Sequence, residues 1–408
     1  MSLAKNVEFL RRLPKLNALD GFGTQIRSLR RGPRGPLVET TRFGSNPGAL
    51  RMFSFVPAHH QQQPALVVVL HGCGQTAAAY DLGAGWSTLA KHYGFALLMP
   101  EQQQANNANG CFNWFNPEDI TRGSGEACSI RQMVARMVRE HKIDERKIFV
   151  TGLSAGGAMT SVMLATYPEI FAAGAVIAGL PFGVATNVRE ALSGMFQSGS
   201  RPASELGDLV RSASSHKGPW PKISVWHGSA DRTVNPANAN EIVKQWIDLH
   251  GLPSTPMSEG IVDGYPRQIW WNADGETVVE SYTITDMAHG TPLGTADNDE
   301  RYGAAGAFLI DAGISSSYHI ANFFGLTERM HRPEQAAAPA SAAKQIAGSA
   351  PIVAPPPAPA PAPDMTGVLW PATTGRDEKP EPASRPPRRG IDVGAVITRA
   401  LTAAGLMK

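Results

Sequence analysis

The chain has 408 residues, of which 42% are hydrophobic and 18% charged, and its formal net charge at pH 7 is +2. This composition is typical of a globular protein that buries a sizeable core. The nearly neutral charge gives no reason to expect nucleic acid or an anionic membrane as the main partner. The basic clusters at residues 27–34 and 385–389 lie among Gly and Pro, where runs of charge are usually solvated.

Targeting signals and cysteine usage bear on the compartment. The N-terminal segment lacks the continuous apolar stretch of a secretory signal, because Arg and Pro residues interrupt it at positions 11–14. No run of about 18 uncharged apolar residues follows, so a transmembrane helix is not expected and a cytoplasmic location is favoured. The three cysteines, Cys73, Cys111 and Cys128, are an odd count that does not make a disulfide framework. We expect three thiols in a reducing cell, with one bridge between Cys111 and Cys128 as the alternative.

The central part of the chain alternates between strand and helix patterns with short connections, which predicts a mostly parallel sheet flanked by helices. Residues 65–70 (ALVVVL) form a continuous apolar run, as a buried parallel strand does. Further strands are predicted at residues 38–43, 49–56, 95–100, 147–151, 172–178, 222–226 and 278–285. Helices are predicted at residues 86–93, 130–141, 157–167, 239–250 and 303–310, and residues 320–324 are expected to pack near the end of the domain.

Changes in composition divide the chain into four segments. We predict an N-terminal extension at residues 1–47, an α/β domain at residues 48–325, a Pro/Ala-rich linker at residues 326–390 and a short amphipathic tail at residues 391–408. The linker has no hydrophobic period and cannot bury enough apolar area to offset its ordering entropy, so we expect it to be extended and disordered. The apolar residues of the tail, which fit one helical face, are Val393, Val396, Ile397 and Leu401.

The strongest chemical signal is the sequence KIFVTGLSAGG at residues 147–157. It contains a G-x-S-x-G pattern centred on Ser154, between a predicted strand and a predicted helix. In that context a sharp turn lifts the serine oxygen clear of the sheet, and the helix N-terminus favours developing negative charge. Ser154 is therefore the predicted nucleophile, although the bare pattern can also arise by chance in a chain with 41 glycines.

A serine nucleophile needs an orienting acid and a base, which follow it in that order in this strand–turn–helix context. Asp231 comes directly after a predicted strand, where parallel sheets place their ligand sites, and Asp263 and Asp286 are the competing acids. His289 follows the last predicted strand and is the predicted base. The other histidines that come after Asp231 are His250, His319 and His331.

Two backbone amides must stabilise the negative oxygen that forms during acyl transfer. Ala155, the residue after the nucleophile, supplies one, and Cys73 in the LHGCGQ sequence after an early buried strand supplies the other. The Cys73 thiol needs no chemical role, and His71 is expected to be a structural hydrogen-bonding residue. The sequence has no HExxH, paired CxxC, dinucleotide fingerprint or phosphate loop, so neither a metal nor a cofactor is predicted.

These motifs resemble the esterase family that includes polyhydroxybutyrate depolymerases and the related feruloyl and acetylxylan esterases. The resemblance spans residues 48–325. Besides the motifs above, it rests on CFNWF (111–115), RGSGEACSIRQM (122–133), AGLPFG (178–183), WHGSAD (226–231) and MAHGTPLG (287–294). It implies an α/β-hydrolase fold, with the family's nucleophile, acid and base on Ser154, Asp231 and His289. The family's oxyanion amides fall on Cys73 and Ala155.

The resemblance implies a serine-dependent carboxylic ester hydrolase that acts on polyhydroxybutyrate or its oligomers. The alternatives are a feruloyl or acetylxylan-type esterase on plant-derived esters, and a granule-associated scaffold with an idle hydrolase domain. Many family members are extracellular, which is the alternative to the cytoplasm. Trp114 is a candidate aromatic residue of the substrate pocket, with a core position as the alternative. We also hypothesise that the tail docks on a polyester granule or a partner helix, or else is a terminus without a role.

Overall fold

The computed structural model describes residues 35–197, 199–296, 298 and 300–328. The predicted tail lies outside these ranges, as do residues 329–390 of the predicted linker and residues 1–34 of the predicted N-terminal extension. Within the described part of the chain, no helix combines the length and the apolar character needed to cross a bilayer.

A ten-stranded sheet lies at the centre of the described residues. Its strands are β1 (Val38–Thr40), β2 (Arg51–Phe55), β3 (Leu66–Leu70), β4 (Ala96–Glu101), β5 (Ile148–Leu153), β6 (Ala173–Ile177), β7 (Lys222–Gly228), β8 (Ser258–Val262), β9 (Tyr265–Trp271) and β10 (Thr277–Ile284). Their order is β1-β2-β4-β3-β5-β6-β7-β10-β9-β8. The strands of the central run β4-β3-β5-β6-β7-β10 are parallel to their neighbours. The strands β1 and β2 at one edge and β9 and β8 at the other pair in the antiparallel direction. The predicted mostly parallel sheet is thus confirmed.

Helices cover both faces of this sheet. They are α1 (Ala77–Ala84), α2 (Trp86–Tyr93), α3 (Pro117–Ile120), α4 (Gly125–His141), α5 (Ala155–Thr166), α6 (Val188–Phe196), α7 (Ala203–Ala213), α8 (Ala237–His250) and α9 (Ser316–Phe323). A second, small sheet pairs β11 (Thr291–Leu293) with β12 (Leu309–Asp311) in parallel.

The strand β3 illustrates how the core is built. Leu66, Val68 and Leu70 join the apolar cluster that includes α4, α5 and α8, and Val67 and Val69 join the cluster on the opposite face with α1, α2 and α9. Because helices cover both faces, every residue of the strand is apolar and buried. All residues of α5 are buried as well. The helix that follows the predicted nucleophile is therefore fixed by packing on every side.

Most of the predicted strands and helices are confirmed, with differences at their ends. The predicted helix at residues 303–310 is wrong, since this segment is a loop that leads into β12. Gly303 and Phe308 have φ angles of 84° and 61°, which a right-handed helix excludes. Pairing of Leu309 with β11 then makes the end of the segment a strand. The hairpin of β8 and β9 was not predicted, nor were α1, α3, α6 and α7.

Candidate active site

Ser154 lies in a sharp turn between β5 and α5. Its φ of 58° and ψ of −118° form a conformation that residues other than glycine rarely adopt. A Cβ atom on Gly152 would collide with the carbonyl oxygen of Gly156, and one on Gly156 would collide with that of Leu70. Both positions must be glycine for the turn to lie this close to the end of β3. The G-x-S-x-G pattern therefore has the strand–turn–helix context that the sequence predicted.

Two backbone N–H groups mark the start of α5, those of Ser154 and Ala155. The N–H of Ser154 donates to the carbonyl oxygen of Ile177 at 2.9 Å, which ties the turn to the end of β6. The N–H of Ala155 is the first of the helix, so no carbonyl of the helix itself can accept from it. The Ser154 side chain is half-buried. This geometry suits the stabilisation of negative charge next to the serine oxygen.

Asp231 and His289 are in direct contact, although 58 residues separate them in the chain. Asp231 follows β7 and His289 follows β10, and these strands are parallel neighbours whose ends lie side by side. The Nδ1 atom of His289 lies 2.7 Å from Oδ2 of Asp231. Gly228 allows the two loops to approach, because a Cβ atom there would collide with the carbonyl oxygen of Met287.

Asp231 is buried and surrounded by N–H donors. Its Oδ1 accepts hydrogen bonds from the backbone amides of Thr233 and Val234 at 2.8 and 2.9 Å. Its Oδ2 also lies 3.2 Å from Nε2 of His227, a residue that could not be singled out from the sequence. Burial alone would raise the pKa of Asp231, but its hydrogen bonds and electrostatic interactions with His227 and His289 outweigh burial and hold the pKa well below its ordinary value. Asp231 is therefore a fixed carboxylate.

The contact with Asp231 determines which nitrogen of a neutral His289 carries the hydrogen. A carboxylate only accepts hydrogen bonds, so Nδ1 of His289 is the donor and Nε2 presents a lone pair. Ser154 follows β5, and β5, β6, β7 and β10 are parallel neighbours in that order. Ser154, Asp231 and His289 thus all follow strands that end at the same edge of the sheet. A lone pair on imidazole at this edge is what a serine nucleophile needs.

The loop after β3, residues 71–75, carries the predicted oxyanion amide of Cys73. The N–H of Gly72 donates to Oε1 of Gln75 at 2.9 Å, and the N–H of Gln75 donates to the Gly72 carbonyl at 3.2 Å. The side chain of Leu153, which precedes the nucleophile, lies against Gly72. The loop therefore packs directly on the strand that ends at the serine.

Buried polar groups hold this loop in place. Nδ1 of His71 donates to the Gly72 carbonyl at 2.8 Å, and its Nε2 accepts from the backbone N–H of Gln102 at 3.1 Å. The Gln102 side chain donates to Glu126, which also accepts from the backbone and side-chain amides of Asn113 at 2.9 and 2.8 Å. Burial, with a neighbouring carboxylate, raises the pKa of Glu126 to about 8, while these donors act in the opposite direction. The structural role predicted for His71 is confirmed.

Cys73 is joined to Cys111 by a disulfide whose Cα atoms are 4.2 Å apart. The expected set of three thiols is wrong, and so is the alternative bridge between Cys111 and Cys128. Among the described residues Cys128 is the free cysteine, and its Sγ accepts from the side chain of Gln132 on the same helix at 3.6 Å. The segment after β4 folds back over the loop of Cys73 and brings Cys111 to it. The disulfide thus ties the predicted oxyanion loop to its neighbour.

Removing the disulfide by Cys111→Ser is expected to lower kcat about ten- to a hundredfold, with a smaller effect on KM. The reason is that a small displacement of the Cys73 amide would weaken its predicted contact with an oxyanion that exists only near the transition state. Steady-state kinetics on a soluble ester, measured well below the melting temperature of the variant, test this. Cys128→Ser is the matched control and should keep wild-type kcat. Wild-type kcat in Cys111→Ser would contradict the positioning role of the disulfide.

The competing acids and bases occupy other positions. Asp263 lies in the turn between β8 and β9, and its Oδ2 is 2.8 Å from Nε2 of His319 on α9. These two residues form a pair of their own, which ties the hairpin to α9. His250 ends α8 and contacts a backbone carbonyl, and Asp286 is exposed. His331 lies outside the described residues.

Two aromatic residues differ in their relation to the site. Trp114 is 7% exposed and packs edge-on against Phe115, with ring centroids 5.5 Å apart. A core position accounts for these contacts, and a contact of Trp114 with substrate stays a prediction. Phe308, which no motif marks, is half-buried and lies edge-on to His289 with ring centroids 5.9 Å apart.

The order of the predicted serine, acid and base along the chain and their placement after strands of one parallel sheet are those of the α/β-hydrolase class. A solved structure supports this class. The acetyl xylan esterase from Aspergillus awamori matches with a TM-score of 0.61 and 26% sequence identity, over 72% of this chain and 100% of that chain. The predicted α/β-hydrolase fold is thereby confirmed.

Sequence relatives define the family within this class. Residues 52–258 match the family model described as Esterase PHB depolymerase. Poly(3-hydroxyalkanoate) depolymerase C of Paucimonas lemoignei is 48% identical over 291 residues, which are 71% of this chain and 70% of that protein. The acetylxylan esterase of Coprinopsis cinerea is 35% identical over 267 residues, which are 64% of this chain and 70% of that protein. The chain belongs to the esterase PHB depolymerase family, as the motifs predicted, and is a carboxylic ester hydrolase.

Proposed function

We propose that Ser154, His289 and Asp231 are the catalytic triad of this hydrolase. The observation that carries the proposal is the 2.7 Å contact between His289 and Asp231 at the sheet edge where Ser154 also lies. In the proposed reaction, Oγ of Ser154 attacks the ester carbonyl carbon while its proton passes to Nε2 of His289. The carboxylate of Asp231 stabilises the imidazolium that forms.

The amides of Cys73 and Ala155 stabilise the oxyanion of the tetrahedral intermediate in this scheme. When the intermediate collapses, the bond to the alcohol oxygen breaks, the alcohol takes the proton from His289, and an acyl-enzyme remains on Ser154. A water molecule that is deprotonated by His289 then attacks the acyl carbonyl. This second step releases the carboxylic acid and restores the serine hydroxyl.

We infer that the ester bond belongs to polyhydroxybutyrate or its oligomers. The greater similarity to the hydroxyalkanoate depolymerase than to the acetylxylan esterase supports this substrate. We place the catalytic domain at residues 48–325, the segment that carries all of the proposed site residues.

Kinetics on three substrate classes test the inference. We expect kcat/KM on soluble 3-hydroxybutyrate oligomers to exceed that on acetylated xylan and on methyl ferulate by at least about tenfold. Ser154→Ala serves as the blank. A preference for acetylated xylan or ferulate would support the plant-ester alternative instead, and an absence of any hydrolysis would support the scaffold with an idle domain. The same preparation, sedimented with polyhydroxybutyrate granules, shows whether the granule surface is a partner.

We also propose that the protein works in an oxidising compartment, which is the extracellular alternative. The disulfide between Cys73 and Cys111 supports this location, because disulfides persist in oxidising compartments and are rare in the cytosol. The absence of an apolar signal stretch from the N-terminal segment had favoured the cytoplasm. The location would also affect activity. A reducing compartment would break the disulfide and so loosen the proposed oxyanion loop.

A further inference from the structure

A loop that leads into β12 borders the proposed active site. We call residues 303–308 the return loop. The N–H of Ala304 donates to the carbonyl of Gly83 at 2.9 Å, which fixes one end of the loop on α1. The N–H of Thr291 donates to the carbonyl of Phe308 at 2.9 Å, which fixes the other end beside β11. The position of the return loop is thus set by backbone contacts at both ends.

The backbone of Phe308 is held in an unfavourable conformation. Its φ is 61°, and it is the one aromatic residue with a positive φ in the described part of the chain. Such a conformation costs free energy for any residue with a side chain and persists only where the surroundings enforce it. Gly290 contributes to this, since a Cβ atom there would lie 2.9 Å from the Phe308 carbonyl oxygen. Strain of this kind next to an active site points to a functional reason for the position of the ring.

The ring of Phe308 adjoins the imidazole of His289. Their ring planes are inclined at 75° with centroids 5.9 Å apart, and the residue Phe308 is half-buried and so partly accessible. In the proposed reaction His289 returns its proton to the leaving alcohol, which must therefore lie within hydrogen-bond reach of Nε2. We therefore expect a side chain that packs against this imidazole to contact the alcohol part of the ester.

We propose that Phe308 determines the specificity for the alcohol part of the ester and selects branched alkyl alcohols by forming an apolar wall. The proposal rests on the proposed function. Residues 304–307 beside it are exposed Ala and Gly, so this rim offers no side-chain hydrogen bond to a sugar hydroxyl. The alcohol unit of a hydroxyalkanoate chain is a secondary alkyl alcohol that packs on an aromatic ring. A sugar alcohol there would lose hydration without gaining a side-chain partner among residues 304–307.

Two esters with the same acyl group isolate the alcohol part. We would measure kcat/KM of the full-length protein on the butyrate esters of butan-2-ol and of methanol, and take the ratio of the two values. Phe308→Ala is expected to lower this ratio about tenfold, because the methyl ester has no branched alkyl group to pack on the ring. Phe308→Tyr keeps the ring and should keep the ratio within about twofold.

Two further variants separate specificity from stability. Phe308→Gly removes both the ring and the backbone restriction, so its melting temperature should be at least that of Phe308→Ala while its ratio stays low. Phe323→Ala is the matched control, since Phe323 is also half-buried but lies on α9. It should keep the wild-type ratio.

The outcomes distinguish this proposal from the proposed function. A wild-type ratio in both Phe308→Ala and Phe308→Gly would overturn the role of Phe308 and leave the esterase intact. An equal loss on both esters would also overturn it, because the ring would then act on catalysis in general. If the wild-type protein hydrolysed neither ester, the proposed function would fail and this proposal with it.

Discussion

Replacing Ser154 with alanine is expected to reduce kcat on a soluble ester by at least about a thousandfold while the protein keeps its fold. The substitution removes one hydroxyl group from a half-buried position, and Ala has a Cβ atom in the same place, so packing is unchanged. Without the hydroxyl no acyl-enzyme can form, and only binding and the oxyanion amides remain to assist attack by water. Initial rates in a pH-stat and thermal melting by circular dichroism measure the two effects.

The matched control is Ser258→Ala, an exposed serine on the edge strand β8. It should keep both wild-type kcat and the wild-type melting temperature. His289→Ala should lose about as much activity as Ser154→Ala, because members of a triad act as a unit and their losses do not add. Residual turnover of Ser154→Ala above about a hundredth of wild type would show that another group is the nucleophile.

Asp231→Asn is expected to lower kcat by about a hundred- to ten-thousandfold. The carboxylate now accepts from Nδ1 of His289, and in the proposed triad this contact leaves Nε2 free to take the serine proton. An amide in the same place presents N–H groups as well as an oxygen, so it stabilises the wrong tautomer of His289 and cannot support the imidazolium. The effect should appear mainly in kcat, since Asp231 is buried.

Asp263→Asn is the control for this experiment, because Asp263 also contacts a histidine, His319, at 2.8 Å. The two substitutions thus remove the same charge from the same kind of pair. Asp263→Asn should change kcat less than about twofold, although it can lower the melting temperature by loosening the hairpin. A severe loss of activity in Asp263→Asn with an active Asp231→Asn would show that the acid has been assigned to the wrong pair.

The part of the site that could be predicted from sequence depends on the parallel sheet. Strands buried on both faces appear as continuous apolar runs such as residues 65–70, and their carboxyl ends mark the edge where chemistry is placed. Each predicted triad residue comes directly after such a strand or within a few residues of its end. The sequence thus indicated that Asp231 and His289 lie at this edge, whereas the neighbouring positions of β7 and β10, which bring the two residues into contact, are seen only in the structure.

The remaining features depend on contacts that local sequence does not encode. Cys73 and Cys111 are 38 residues apart, and only the fold of the segment after β4 brings them together. The return loop contains three alanines, which favour a helix locally, but the positive φ at Gly303 and Phe308 and the pairing of β12 with β11 exclude one. Because a helix was predicted for residues 303–310, the contact between Phe308 and His289 could not be anticipated.

The edge of the sheet formed by β8 and β9 could not be predicted, for a different reason. The residues of β8 are mostly exposed, so they show neither an apolar run nor a clear alternation. The dipeptide Asp263-Gly264 is a typical sequence signal for a hairpin turn, and it is the local feature that indicates the β8–β9 hairpin. Both residues have a positive φ in the structure. Recognising it would also have placed Asp263 in a structural turn rather than among the candidate acids.

Covalent labelling with a fluorophosphonate, followed by mass spectrometry of the digested protein, tests the central claim most directly. An activated serine attacks the phosphorus atom and keeps the label, whereas an ordinary serine hydroxyl does not react. We predict a single adduct on the peptide that contains Ser154, absent from Ser154→Ala and strongly reduced in His289→Ala. An adduct on a different serine, or labelling of the wild type that persists in Ser154→Ala, would contradict the assignment of Ser154 as the nucleophile.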